Sequence, residues 1–126
     1  MIDVEKHVGH WMNGALEEIA VSRDLLEKNR NRHALFFAHL GLEKALKAHV
    51  CRVTEDVPPR IHSLGCLAQL SKLTFEKETL QFFGLMNQYN IEGRYPESFT
   101  PEPDSAYAEK LIHEAETKVT WLKNQL

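Results

Sequence analysis

The chain has few of the features that mark exported, membrane-bound or cross-linked proteins. Its two cysteines, Cys51 and Cys66, form no CxxC pair. That is too few for a disulfide framework, and the spacing does not suit a structural zinc site. Both fall in apolar runs and read as small buried thiols. No uncharged apolar stretch approaches the ~20 residues needed to span a bilayer, so no membrane contact is expected. The start, Met1-Ile2-Asp3-Val4-Glu5, lacks the basic and apolar regions of a signal peptide, and a cytoplasmic location is the expectation. The formal net charge of −3 shows no basic excess of the kind that coats nucleic acid, so any contact with a nucleotide or RNA must be local. Alternating β-branched runs, Asn-Gly or Asp-Gly hairpins, internal repeats and low-complexity tracts are absent too, which leaves no case for strands. Without a P-loop, GxGxxG, HExxH or GxSxG motif, no cofactor is expected. His7 with His10, and His62 with Cys66, are single pairs one turn apart. Two ligands do not make a metal centre, and no metal is expected.

What is present is helical. A chain of 126 residues is the usual size of one domain and can bury its own core. All five prolines fall into two clusters, Pro58-Pro59 and Pro96, Pro101, Pro103. Proline is costly inside a helix, so these clusters mark connections. The first helix is predicted from Val4 to Lys28, capped by Asp3. Its apolar stripe is Val8, Trp11, Met12, Ala15, Leu16, Ile19, Ser22 and Leu26. Asn29-Arg30-Asn31 reads as a tight turn, which favours an antiparallel neighbour. The second helix, Arg32 to Thr54, carries a main stripe of Leu35, Ala38, Leu42, Ala45, Leu46 and His49. Beside it runs a strip of small residues, Ala34, Gly41 and Ala48. A helix apolar on most sides is usually central. A short third helix is expected over Ser63 to Leu73 and a fourth over Phe75 to Asn90, with Leu80, Phe83, Leu85 and Met86 available for burial. The last helix starts at a cap, Asp104 or Ser105, and buries Leu111, Ile112, Ala115, Val119 and Leu122. The fold class is therefore all-α, an antiparallel up-and-down bundle of four to five helices.

Three groups of residues could carry chemistry. Arg32, His39, Glu43 and Lys47 recur on one side of the second helix at steps of seven, four and four. They are either a solvated face with a Glu43–Lys47 ion pair or a polar groove between helices or subunits. His62 follows the double proline, just ahead of a helix start that can hold an anion. In Gly93-Arg94-Tyr95-Pro96, Arg94 offers a planar fork for phosphate and Tyr95 a stacking face; alternatively both close the bundle. Phe36 and Leu40 add apolar surface away from the main stripe, as a dimer interface would.

The run Phe37-Ala38-His39-Leu40-Gly41-Leu42-Glu43-Lys44-Ala45-Leu46-Lys47-Ala48 resembles the signature helix of HEPN domains. His62 before Ser63-Leu64 resembles the family's His-x-Leu segment. Arg94-Tyr95-Pro96-Glu97 resembles its Arg-Tyr-Pro-Asp run, with Glu97 in place of Asp. Trp11 and the segment from Ala115 to Trp121 fit as well, so the resemblance spans nearly the whole chain. It implies a helical bundle, often a homodimer, that binds a nucleotide or partners a small nucleotidyltransferase in a toxin–antitoxin-like system. The family's polar positions fall on Glu43, Lys47, His62, Arg94 and Tyr95. Other members are metal-independent ribonucleases that use an Arg-x(4–6)-His motif late in the bundle. Here the next histidine after Arg94 is His113, which is too distant. Arg32 and His39 satisfy the spacing, but on a different helix. The expected function is thus a binding module. A ribonuclease toxin and a ligand-free structural dimer are the alternatives.

Overall fold

The computed structural model describes the backbone of residues 1–94 and 101–126, with side chains for 1–90 and 101–126. Five helices follow one another: α1 (Val4–Glu27), α2 (Asn31–Thr54), α3 (Leu64–Leu70), α4 (Lys77–Arg94) and α5 (Ser105–Asn124). No strand occurs among the described residues, and no helix there is long and apolar enough to cross a membrane.

Local chemistry sets most of the boundaries. Asp3 accepts from the Lys6 N–H at 3.2 Å, Ser63 from Cys66 at 3.3 Å and Asp104 from Tyr107 at 2.8 Å, so α1, α3 and α5 each begin on a side-chain cap. Between α1 and α2 the chain reverses through Asn29 at φ 60°, a left-handed conformation that asparagine tolerates. Lys72, at φ 63°, stops α3 at Leu70, three residues short of the predicted end. α4 starts two residues later than predicted and runs on to Arg94.

α2 touches each of the other four helices, as its many apolar sides predict. Contacts at Ser22–Ala34, Glu18–Lys44 and Glu5–Arg52 show α1 running antiparallel to it. Contacts at Asn31–Ser105, His49–Leu122 and Arg52–Leu126 show α5 running parallel. With α4 packed on α2, the long helices form an up-and-down bundle, and α3 lies in the connection from α2 to α4. Gly41 lets α1 approach closely. A Cβ there would stand 2.9 Å from Ile19 Cδ1 and 3.2 Å from the Ala15 carbonyl oxygen.

The core contains the predicted stripes of α2 and α5 in full. α4 departs from expectation. Phe82, Phe83, Met86 and Tyr89 are buried, while Leu80 and Leu85 are exposed on either side of that face. Cys66 also departs. It is exposed, because it sits one turn into α3 on the side opposite Leu64 and Leu67, whereas Cys51 is buried.

His49, buried near the end of α2, donates from Nε2 to the Leu122 carbonyl at 2.7 Å. Burial pushes its pKa below the ordinary 6.5, the carbonyl bond opposes that shift, and nearby Arg52 adds to it. The unfolded chain therefore takes up a proton at a higher pH than the folded one does. Stability from this group is complete above about 6.5 and falls as pH drops toward and through the lowered folded value, by at most about 1.4 kcal/mol per pH unit. Urea denaturation between pH 7.5 and 5.5 should show a steeper loss for the wild type than for His49→Gln. Equal slopes would remove His49 from the account.

Candidate functional site

The polar side of α2 is not a solvated face. His39, Glu43 and Lys47 are 1%, 3% and 5% exposed. Steps of four residues stack them on one flank of the helix, and three other elements close over that flank. His62 enters from the segment after Pro58-Pro59, Asn87 from α4 and Trp11 from α1.

Glu43 is the hub. Its Oε2 accepts from Lys47 Nζ at 3.1 Å. Both carboxylate oxygens lie 3.2 Å from His62 Nδ1, and Oε1 lies 3.9 Å from His39 Nδ1. Lys47 Nζ also stands 5.3 Å from the centroid of the Trp11 ring, within cation–π range. The buried carboxylate and the buried ammonium thus neutralise each other beneath an indole face. A charge pair survives burial only with such additional partners.

The orientation of Asn87 follows from one backbone donor. The Leu64 N–H approaches its side chain at 3.0 Å, so the atom it meets is the carbonyl oxygen, Oδ1. The same oxygen lies 3.2 Å from His39 Nε2, which must therefore carry a hydrogen. Asn87 joins the start of α3 to the centre of α2 through this one acceptor.

The cluster opens to solvent at His62, whose side chain is 49% exposed. Nδ1 donates to Glu43, and Nε2 makes no hydrogen bond among the described residues. Protonated, His62 presents one N–H to the buried carboxylate and a second outward, directed at any anion that approaches. Neutral, it presents a lone pair there.

Of the five predicted ligand residues, the structure brings Glu43, Lys47 and His62 together. Lys47 is turned inward onto Glu43 and Trp11, and does not face solvent as a phosphate donor would. Tyr95 lies outside the described residues, and Arg94 is described only as the backbone end of α4. The pair Arg32 and His39 is separated by two helical turns, about 10.5 Å along the axis. The backbone N–H of Arg32 meets Glu102 at 3.3 Å near the start of α5, while His39 belongs to the Glu43 cluster. The sequence reading missed Asn87. Its one signal was a polar, poorly helix-forming residue between the core residues Met86 and Tyr89. Among the described residues, no three His, Cys, Asp or Glu side chains converge as metal ligands.

The HEPN domain family model matches residues 8–125. A crystal structure of a protein from Thermus thermophilus superposes with a TM-score of 0.79 at 20% identity, covering 94% of this chain and 98% of that one. An archaeal HEPN homologue superposes with a TM-score of 0.73 at 21% identity, covering 94% and 96%. These two share the fold. Among curated proteins none matches the chain significantly.

Proposed function

Because the chain belongs to the HEPN domain family, we propose that it is a small binding module that takes a nucleotide at the His62 edge of the Glu43 cluster. The observation that carries this reading is the contrast in exposure. A carboxylate only 3% exposed fixes a ring that is half in solvent, and that ring ends in an uncommitted nitrogen. Such an arrangement holds a hydrogen-bonding ring in place before the ligand arrives, which saves ordering it on binding. Glu43 and Lys47 act as positioning residues, and His62 makes the contact. Arg94, two turns beyond Asn87 on α4, and Tyr95 join the site on the strength of their motif, as a phosphate fork and a stacking ring. A second copy packed on the Phe36 and Leu40 face, and a small nucleotidyltransferase partner in a toxin–antitoxin-like pair, belong to the same proposal and rest on the family resemblance.

The ribonuclease alternative has less support. His39 is 1% exposed, and its Nε2 is engaged by Asn87, which keeps it from the substrate as a general acid or base.

Calorimetric titration with ATP, GTP and AMP tests the proposal. A charge-assisted hydrogen bond contributes about 1.5–3 kcal/mol, so Arg94→Ala should weaken binding roughly ten- to a hundredfold. Raised salt should weaken it further. If no nucleotide binds below millimolar concentration, or if the variant binds as the wild type does, the site is wrong.

A further inference from the structure

A second concavity lies at the far end of the bundle, where the segment entering α4 meets the last turns of α5. Its volume is about 290 Å³, near the lower end of the range for small-molecule pockets. It shares no lining residue with the Glu43 cluster. The walls are aromatic. Phe75 meets Phe83 edge-on at 5.4 Å between ring centroids and meets Trp121 in a tilted contact at 5.7 Å. Phe83 is the fully buried floor, but Trp121 is 40% exposed. A large ring left open at the mouth of a hollow offers a stacking face.

Two charges of opposite sign border the hollow from opposite walls, Lys118 on α5 and Glu76 at the entry to α4. Neither has an ion-pair partner among the described residues. Elsewhere on α5, Glu109 and Glu116 are both taken by Arg23 at 2.7 and 2.9 Å, whereas Lys118 and Glu76 are left to line the hollow. We infer that this pocket binds a small aromatic zwitterion, a molecule of the aromatic amino acid class. Its ring stacks on the open face of Trp121, beside Phe75, with its carboxylate at Lys118 and its ammonium at Glu76. The buried hydroxyl-bearing residue Thr79, one turn after Glu76, adds a polar group beside the ammonium end. The volume accommodates one ring system.

The two tryptophans report the two sites separately, because Trp11 lies in the Glu43 cluster and Trp121 in this pocket. In an amide and indole N–H correlation spectrum of the full chain, L-tryptophan should shift the Trp121 indole signal saturably below about 1 mM and leave that of Trp11 in place. Tryptamine, indole-3-propionate and indole separate the ammonium, carboxylate and ring contributions. Lys118→Met should weaken L-tryptophan and indole-3-propionate about tenfold and leave tryptamine unchanged, as loss of one charge-assisted bond predicts. Glu76→Gln should do the reverse. Both residues are on the surface, so neither substitution threatens folding. The inference is overturned if Trp121 shows no saturable shift, if Trp11 moves with it, or if indole alone binds as tightly as L-tryptophan.

Discussion

Glu43→Gln should destabilise the protein by about 3–5 kcal/mol, because it leaves the Lys47 ammonium buried without its counter-charge. That is a large share of the ~5–15 kcal/mol that holds a domain together, and it corresponds to a fall in Tm of roughly 10–20 °C. The substituted amide can still accept from His62, so the loss reports the Glu43–Lys47 pair at 3.1 Å and not the histidine contact. Adding Lys47→Met should restore most of the stability, since an unbranched apolar chain packs against Trp11 and no charge is left in the interior. Thermal and urea denaturation of the wild type, the single variant and the double variant check this. A single variant within about 1 kcal/mol of wild type would mean that the pair is solvated after all. The double variant also separates the pair from the histidine contact: folded and stable, it should keep most of its nucleotide affinity, because the substituted amide still accepts from His62 Nδ1.

Asn87→Leu should cost about 2–4 kcal/mol. It orphans two donors at once, the Leu64 N–H and the His39 Nε2–H, each worth about 1–3 kcal/mol when left unpaired in a partly buried setting. Asn87→Asp keeps an acceptor at the same place and adds a negative charge near the first turn of α3, so it should lose less than half as much. Equal losses for the two variants, read from urea midpoints, would show that the position matters for packing and not for its oxygen.

The sequence was most readable where one residue type has one physical consequence. Prolines cannot continue a helix, and Pro58, Pro59, Pro101 and Pro103 all fall between helices. Asp3, Ser63 and Asp104 precede helices because their oxygens take a free N–H. α2 is central because apolar and small residues surround it. Reading failed where phase or a tertiary contact decides. Leu80 and Leu85 are as apolar as Met86, yet the turn of α4 puts them outside. Cys66 is exposed for the same kind of reason. At the site, the spacing of His39, Glu43 and Lys47 was visible, but not whether the stripe is wet or buried, since that depends on what α1 and the segment after Pro59 place over it. Asn87 gave only its polarity among core residues as a signal, because one partner is a backbone amide 23 residues away, and a backbone amide carries no sequence signal. Lys47 was read as a ligand donor because the sequence gives its position but not its direction. Trp11, on another helix, draws it inward.

The most direct measurement is a thermodynamic cycle on His62. ATP and adenosine are titrated calorimetrically into wild type and His62→Ala. The account predicts that the wild type prefers ATP, and that His62→Ala weakens ATP roughly tenfold, as loss of one partly exposed hydrogen bond to phosphate predicts. Adenosine binding should be unaffected, which places the lost interaction on the phosphates. Equal losses for ATP and adenosine, or ATP binding as tight in His62→Ala as in wild type, would contradict a phosphate contact at His62.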